Sequence, residues 1–330
     1  AGVDKLLTCT NPTLPIGTTA VSGNSYSWSP ATGLIGPTTA QPSVNTPGTY
    51  TLTVTNTANG CISTDVVNIT QDIIPPVANA GADKTLTCSN PTLQIGTAAA
   101  SGNTYAWVPA SGVTTSTIAQ PNAIAPGNYT LTVTNTANGC KATDVVVVTQ
   151  NITPPIANAG PDKILTCSNP TLTIGTAAVA GNSYLWSGSG LSSSVIAQPS
   201  TNMSGTYALQ VTNITNGCRS TDTVVVTQNI TPPLADAGPD ITLTCTHPSL
   251  AIGTAAISGN TYSWSNASGL SSGIIAQPTA NKAGNYTVTV TNTANGCTAT
   301  DLVNISIDTI RPLANAGVNK TLTCATPTAT

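Results

Sequence analysis

Cysteine is the residue of this chain whose number and spacing could do chemistry. The 330-residue sequence holds nine cysteines in two series, each with a period of 78 to 79 residues. The first series stands in the motif LTC and comprises Cys9, Cys88, Cys167, Cys245 and Cys324. The second closes a longer phrase, TLTVTNTANGC in its first two occurrences, and comprises Cys61, Cys140, Cys218 and Cys297. Such a period predicts a tandem array of small domains, with Cys324 in a fifth copy that stops at Thr330.

A constant separation of 51 or 52 residues relates the two cysteines of each complete copy. Because a disulfide needs its sulfur atoms in a narrow geometry, this constancy predicts one disulfide within each copy. The predicted bonds are Cys9–Cys61, Cys88–Cys140, Cys167–Cys218 and Cys245–Cys297. Each would close a loop of about 50 residues, stabilise its domain by roughly 4 kcal/mol and indicate an oxidising, extracellular location. The alternatives are reduced core cysteines, and zinc ligands, for which the chain lacks CxxC spacing and has a single histidine.

The other ionisable residues give little support for catalysis. General acid–base chemistry needs positioned groups of suitable pKa, and the chain offers eleven aspartates, eight Lys or Arg and one histidine, His247. This histidine stands before a proline where the other complete copies carry asparagine, which is typical of a turn substitution. An aspartate recurs in the dipeptide TD of every copy, which indicates a structural hydrogen bond: Asp65, Asp144, Asp222 and Asp301. We therefore predict that the chain is not an enzyme.

Short β-strands must position these residues, because the apolar residues alternate with period two and Gly and Pro interrupt the chain every few residues. A Tyr-x-Trp motif and a tyrosine in the last hairpin recur in every copy. The predicted core aromatics are Trp28, Trp107, Trp186, Trp264, Tyr50, Tyr129, Tyr207 and Tyr286. The dipeptide Asn59–Gly60 predicts a tight hairpin turn with positive φ angles. The motif AQP, which persists at 40–42 and its equivalents, predicts a further strand.

These patterns predict an all-β fold, a tandem array of immunoglobulin-like β-sandwich domains of about seven strands, with one disulfide each and arranged end to end as a rod. The disulfide would tie the first strand of a copy to its last. Proline-led segments such as PPVANAG mark the boundaries, where helix is disfavoured. The predicted domains are 1–74, 75–153, 154–231 and 232–310, with 311–330 as the truncated start of a fifth repeat.

Composition excludes several partners. Charged residues make up 6% of the chain and the formal net charge is −3, so no electrostatic footprint for nucleic acid exists. No apolar run is long enough to insert into a membrane. We predict no cofactor. Calcium at the domain junctions is the alternative, but Ca²⁺ takes six to eight oxygen ligands and the junctions hold few carboxylates. These are Asp72 and Asp83 at the first junction, Asp162 at the second, and Asp236 and Asp240 at the third. All twelve aromatic residues belong to repeated positions, so none remains for stacking sugars.

The motifs ANAG.D.TLTC, Y.W and PG.Y.LTVTN..NGC together resemble the tandem repeats of very large, SprB-like cell-surface adhesins of gliding Bacteroidetes. They are also similar, more loosely, to bacterial PKD-type and other immunoglobulin-like repeats. The resemblance covers all four copies and the fragment of a fifth. It implies a secreted filament exported by type IX secretion, attached to the outer membrane at the cell surface, and used in cell adhesion and gliding motility.

Two functions follow as hypotheses. In the first, the segment is the structural shaft of a long adhesin; its partners are neighbouring repeats of the same chain, and surface polysaccharide or substratum is contacted through regions outside this segment. In the second, the segment is a ligand- or glycan-binding module that acts through the variable loops between the tryptophan and the last hairpin, such as 29–44 and 187–201. The sequence names no ligand-binding residue for either.

Overall fold

The structure is a computed structural model that describes residues 1–321, 324 and 325. The fold is all-β, as predicted, and consists of tandem immunoglobulin-like β-sandwiches. The only helical segments among the described residues are two single 3₁₀ turns, Ala110–Gly112 and Ala267–Gly269. We call the four complete sequence repeats copies 1 to 4. The predicted start of a fifth repeat lies partly outside the described residues.

Copy 1 contains seven strands and copies 2 to 4 contain six each. In copy 1 they are β1 (Lys5–Thr8), β2 (Leu14–Pro15), β3 (Asn24–Ser29), β4 (Leu34–Ile35), β5 (Ser43–Val44), β6 (Gly48–Asn56) and β7 (Ile62–Asp72). In copy 2 they are β8 (Lys84–Thr87), β9 (Leu93–Gln94), β10 (Asn103–Val108), β11 (Asn122–Ala123), β12 (Gly127–Asn135) and β13 (Lys141–Asn151).

The strands of the later copies follow the same order. In copy 3 they are β14 (Lys163–Thr166), β15 (Leu172–Thr173), β16 (Asn182–Ser187), β17 (Ser200–Thr201), β18 (Gly205–Asn213) and β19 (Arg219–Asn229). In copy 4 they are β20 (Ile241–Thr244), β21 (Leu250–Ala251), β22 (Asn260–Trp264), β23 (Thr279–Ala280), β24 (Gly284–Asn292) and β25 (Thr298–Asp308).

Each copy has one four-stranded sheet, faced by a sheet of two or three very short strands. In copy 1 the larger sheet has the order β1-β7-β6-β3, and the other copies repeat it. The first strand runs parallel to the second half of the last strand, with Lys5 opposite Ile69 and Thr8 opposite Asp72. The first cysteine of a copy therefore leaves the sheet at the end where the last strand finishes.

A separate hydrophobic core lies inside each copy, because alternate residues of the long strands point inward. In β12, for example, Tyr129, Leu131 and Val133 are each 1% exposed, while the threonines between them face outward or are half-buried. The four apolar clusters fall within the four predicted domain ranges. The exact boundaries of the domains remain a prediction.

The chain divides into two compact units. The first comprises Ala1–Pro155 together with Thr212–Arg219, and the second comprises Ile156–Val211 together with Ser220–Thr330. The first unit thus contains copies 1 and 2 and also the hairpin loop of copy 3. This grouping identifies the hairpin loop as the place where one copy is attached to another.

Candidate functional site: the joint between copies

The hairpin loop between the last two strands of a copy is the central part of this site. We use the name for residues 56–61, 135–140, 213–218 and 292–297. In copy 2, Asn135 N–H donates to the Cys140 carbonyl at 2.9 Å and Gly139 N–H donates to the Asn135 carbonyl at 2.8 Å. Of the dipeptide Asn138–Gly139 only the glycine has a positive φ, +71°. The predicted hairpin is present, but the prediction of positive φ angles at both residues of the dipeptide is wrong: only the glycine has one, as it does at Asn59–Gly60 in copy 1.

Three disulfides join six of the nine cysteines, and each connects two consecutive copies. The bonds are Cys9–Cys140, Cys88–Cys218 and Cys167–Cys297, with Cα–Cα distances of 5.0, 5.0 and 4.9 Å. These distances lie within the range that a disulfide requires. In every case the first cysteine of one copy is bonded to the hairpin loop of the next.

The predicted bonds within a copy, Cys9–Cys61, Cys88–Cys140, Cys167–Cys218 and Cys245–Cys297, are therefore wrong. The reason lies in the sheet. Cys61 precedes the first residue of β7, whereas Cys9 follows Thr8, which pairs with Asp72 at the last residue of β7. At about 3.3 Å per residue the 11-residue strand separates the two cysteines by roughly 35 Å, far beyond disulfide range. The cysteines Cys61, Cys245 and Cys324 are exposed and unpaired in the structure.

A buried asparagine makes the most contacts in the joint. The side chain of Asn138 is 1% exposed, although its sequence is that of a surface loop. Its Nδ2 donates to Asp72 Oδ1 at 2.9 Å and to the Ile74 carbonyl at 3.0 Å, both in copy 1. Its Oδ1 accepts the Cys140 N–H at 2.9 Å. One side chain therefore orients the bonded cysteine and ties the loop to the preceding copy.

The same arrangement occurs at the other two joints. Asn216 donates to Asn151 Oδ1 at 2.9 Å and to the Thr153 carbonyl at 2.9 Å. Asn295 donates to Asn229 Oδ1 and to the Thr231 carbonyl, both at 3.0 Å. Both asparagines are 1% exposed. A carboxylate or an amide can accept at the first position, because the bond needs only an oxygen acceptor there.

Backbone contacts complete the joint. Thr10 N–H donates to the Asn138 carbonyl at 3.4 Å, and Thr10 also packs on the loop glycine. A Cβ added to Gly139 would meet Thr10 Cγ2 at 2.3 Å, so this position admits no side chain. We call the surface of a copy that receives the loop its acceptor edge. In copy 1 it consists of Cys9 and Thr10 with Asp72–Ile74; in copy 4 the equivalent residues are Cys245 and Thr246 with Asp308–Ile310.

The recurrent aspartates have structural partners. Asp144 Oδ2 accepts the Ala80 N–H at 2.7 Å, which fixes the chain at its entry into copy 2, and Asp222 and Asp301 accept from Ala159 and Ala237 in the same way. In copy 1 the acceptor is Asp65, which lies 2.6 Å from the amino group of Ala1. The hydrogen bond from that ammonium group, followed by the one from the Val66 N–H, lowers the pKa of Asp65.

All eight predicted core aromatics are buried, with at most 5% of their surface exposed. Burial raises the pKa of the Tyr50 and Tyr129 hydroxyls, because desolvation disfavours the phenolate. The indole of Trp28 donates to the Thr39 carbonyl, directly before the AQP motif, and the other three tryptophans repeat this bond. AQP is an irregular bend rather than the predicted strand, and this bond gives it a structural role.

The histidine and the junction aspartates, which could serve in catalysis or bind calcium, lie apart from one another. His247 is exposed in a turn, where its backbone N–H donates to Thr244 Oγ1 at 3.2 Å. The backbone N–H groups of Asn11, Asn90 and Asn169 make the same bond to the equivalent threonines. Among the junction aspartates, Asp83, Asp162 and Asp240 each accept one backbone N–H from the last strand of their copy. Within the described part of the chain no three His, Cys, Asp or Glu side chains are grouped as metal ligands, and no helix is long and apolar enough to cross a membrane.

Comparison with known proteins gives weak similarities. No protein-family model matches the chain. Solved structures with similarity include a titin I-band fragment, I67–I69, with TM-score 0.37 and 14% identity over 72% of this chain and 100% of that one. Immunoglobulin domains 1–5 of Sidekick-1 give TM-score 0.29 and 11% identity over 93% of this chain and 79% of that one. The eight N-terminal immunoglobulin domains of the Down syndrome cell adhesion molecule give TM-score 0.33 and 11% identity over 92% of this chain and 48% of that one.

Proposed function

We propose that this chain is the structural shaft of a long extracellular adhesin, a segment that transmits tension and holds a binding region away from its anchor. The resemblance of its repeats to SprB-like adhesins supplies the cellular setting: a type IX-secreted filament, attached to the outer membrane, that serves surface attachment and gliding motility. The structural observation that carries the proposal is the set of three disulfides between consecutive copies.

The three disulfides form overlapping loops, and this overlap limits how far the chain can be stretched. Each bond spans 130 or 131 residues, while the copies repeat every 78 to 79 residues. A tensile force enters at Cys9, crosses to Cys140, follows the backbone to Cys167 and crosses to Cys297. The covalent path between the termini therefore shortens from 330 residues to about 70.

In length, this is a reduction of the maximum extension from roughly 1,200 Å to roughly 250 Å, at up to about 3.6 Å per residue. Unfolding of a whole copy cannot release its full length while the bonds are intact. A shaft under load gains from this property, because an extended, unfolded copy would lose both its length control and its resistance to proteolysis. A shaft also needs a surface that has few side chains able to bind a ligand.

The surface of the four copies has few side chains that could bind a ligand. Eight of the twelve aromatic residues are buried and the other four, the tyrosines of the Tyr-x-Trp motifs, are half-buried, so no fully exposed aromatic ring is available on the four copies for stacking a sugar. The variable segment of copy 3 lines a shallow groove of about 310 Å³ that includes Leu191, Ser192 and Asn202 and contains no ionisable side chain. The alternative function is a ligand- or glycan-binding module acting through these loops, and it would have this groove available in copy 3.

Single-molecule stretching tests the proposal. A chain of residues 1–330 pulled by its termini without reductant should reach a limit of roughly 250 Å, and with reductant it should extend to roughly 1,200 Å in steps. Cys140→Ser should raise the non-reducing limit to roughly 600 Å, because the path then runs through Cys88–Cys218 and Cys167–Cys297. Cys61→Ser is the matched control and should leave the limit unchanged. Full extension without reductant would exclude a cross-linked shaft.

Shape gives a second test. With a sandwich roughly 35 to 45 Å long per copy, a shaft of four copies should reach roughly 140 to 180 Å in small-angle scattering. A maximum dimension below about 90 Å would favour the binding module. In the cell, in-frame deletion of two copies should cause a graded loss of adhesion in a shaft, whereas loss of a specific module should abolish it.

A further inference from the structure

An asparagine followed by glycine lies at the centre of each joint between copies. The dipeptides are Asn138–Gly139, Asn216–Gly217 and Asn295–Gly296. Asparagine loses its amide group when the backbone nitrogen of the next residue attacks its side-chain carbon. Glycine favours this attack, because it has no Cβ to obstruct the ring that forms. The joint asparagines therefore have the sequence of a deamidation site, and their surroundings determine whether the reaction takes place.

The closed joint opposes this reaction in two ways. The side chain of Asn138 is 1% exposed, so the charged intermediate of the attack would form without water around it. Its Nδ2, which is the leaving group, is held by Asp72 Oδ1 and by the Ile74 carbonyl. Asn216 and Asn295 are equally buried and equally bound. Deamidation at all three sites therefore requires the joint to open.

The product does not fit the closed first joint. Deamidation replaces the amino group of the Asn138 side chain by a carboxylate oxygen, which has no hydrogen to donate. This oxygen would face Asp72 Oδ1 and the Ile74 carbonyl, two acceptors, in a buried position. Two buried carboxylates in contact destabilise each other, because at least one of them must lose its charge. A first joint in which Asn138 has reacted therefore cannot close as before.

The second and third joints tolerate the product better. There the side-chain acceptor is an amide, Asn151 for Asn216 and Asn229 for Asn295. An amide can rotate and donate its amino group to the new carboxylate, whereas Asp72 has no such group. The first joint is therefore the one most sensitive to this modification.

We propose that Asn138, Asn216 and Asn295 are deamidation sites that the closed joint protects, and that reaction at Asn138 after opening prevents the first joint from closing again. The modified residue would mark a joint that has been open. The inference depends on the geometry of the three joints and does not require the proposed shaft function.

Opening begins at the disulfide. Cys9 is exposed whereas Cys140 is 1% exposed, so a thiolate of an external dithiol attacks the Cys9 sulfur. Cys140 leaves as a thiolate, and the second thiol of the reagent releases Cys9 while the reagent becomes a cyclic disulfide. In the open joint the Gly139 nitrogen attacks Asn138 Cγ, and the amide group leaves as ammonia with the proton of that nitrogen. One water molecule then opens the cyclic imide to aspartate or isoaspartate.

Incubation in water enriched in heavy oxygen tests the protection. The full chain is held at mildly alkaline pH with or without dithiothreitol, and peptide mapping measures the oxygen label at each site. Asn59 is the matched reference: it is exposed, stands in the same hexapeptide NTANGC as Asn138, and its loop is closed by the same Gly60 N–H bond to the Asn56 carbonyl.

In the oxidised chain the three joint asparagines should react about tenfold more slowly than Asn59 or slower still, because only the open fraction of a joint reacts. Reduction should remove most of that difference. If Asn138 reacts as fast as Asn59 in the oxidised chain, or no faster in the reduced chain than in the oxidised one, the proposal is wrong.

Variants that carry the product test its consequence. Asn138→Asp and Asn216→Asp chains are reduced and then reoxidised in a glutathione redox buffer, and peptide mapping follows the disulfides. Asn138→Asp should slow formation of Cys9–Cys140 about tenfold and leave Cys88–Cys218 unaffected, whereas Asn216→Asp should slow Cys88–Cys218 only about twofold. Formation of Cys9–Cys140 at the normal rate in Asn138→Asp, or equal slowing of both bonds in that variant, would overturn the proposal.

Discussion

Residues 51–61 and 130–140 have the same sequence, TLTVTNTANGC, in different surroundings. In copy 1 the end of the phrase is exposed and Cys61 is unpaired. In copy 2 Asn138 and Cys140 are each 1% exposed, and Cys140 is bonded to Cys9 of copy 1. The loop closes in the same way in both: Gly60 and Gly139 have φ angles of +73° and +71°, and each donates its backbone N–H at 2.8 Å to the carbonyl of the asparagine four residues before it.

This comparison separates what a loop determines by itself from what its neighbour determines. The turn geometry depends on local residues alone, so it forms with or without a partner. Burial, disulfide pairing and the two hydrogen bonds of the asparagine side chain depend on the preceding copy. Copy 1 therefore provides a built-in control for each residue of the joint, and the same substitution can be compared at an open and at an occupied position.

The largest difference should come from the cysteines. Cys140→Ser removes a cross-link that closes a loop of 131 residues and should lower the free energy of unfolding of copies 1 and 2 by about 2–4 kcal/mol. Cys61→Ser should have no measurable effect, because the thiol is exposed and unpaired. Calorimetry of both variants without reductant measures the difference. Equal Tm values for the two variants would contradict the account of the joint.

The buried asparagine should give the next effect. Asn138→Ala leaves the Ile74 carbonyl and the Cys140 N–H without their partners in a buried position, which should cost about 2 kcal/mol. Asn59→Ala removes one solvent-exposed hydrogen bond and should cost about 0.5 kcal/mol. Chemical unfolding with the disulfides intact checks both values. A cost at Asn59 equal to that at Asn138 would mean that the loop, and not the joint, requires the asparagine.

The loop glycines allow a finer comparison. Alanine at either position would have to adopt a positive φ, and this backbone strain should lower the free energy of unfolding by about 1 kcal/mol. Gly139→Ala also forces a Cβ against Thr10, whereas no atom lies within 4 Å of a Cβ placed at Gly60. The difference between the two variants, about 1–2 kcal/mol, therefore measures the close packing of the joint. Double substitution with Thr10→Ala should recover part of it.

Chelation should have the smallest effect. Asp72, the carboxylate of the first joint, accepts hydrogen bonds from Asn138 and Ile74, so its partners are already present without a cation. We expect EDTA to leave the Tm of the oxidised chain unchanged, while reduction lowers it. A fall in Tm with EDTA as large as the fall on reduction would mean that calcium binds at the junctions and stabilises them.

Local patterns predicted the fold well. Alternation in the long strands, the recurrent Tyr and Trp and the turn signals led to the all-β, immunoglobulin-like array, and the structure confirms that class. The disulfide pairing could not be predicted this way. In a regular array the spacing from Cys9 to Cys61 and the spacing from Cys9 to Cys140 are equally constant, so constancy cannot choose between them. The choice depends on the parallel pairing of β1 with the end of β7, a long-range feature.

The role of Asn138 was missed for a related reason. The tripeptide NGC is typical of an exposed turn, and nothing in one copy shows that the asparagine is buried by another copy. A signal was nevertheless present. The asparagine of this tripeptide recurs in all four copies, as do the threonine or serine after the first cysteine and an Asp or Asn at position 72 and its equivalents. Their joint recurrence is what a hydrogen-bonded contact between one copy and the next would require.

Non-reducing peptide mapping by mass spectrometry tests the central claim, the linkage of consecutive copies, most directly. Free thiols are first alkylated, and the unreduced chain is then digested and sequenced. The account predicts the links Cys9–Cys140, Cys88–Cys218 and Cys167–Cys297, with Cys61 and Cys245 recovered in alkylated form. Recovery of Cys9–Cys61 and Cys88–Cys140 as the main species would contradict it.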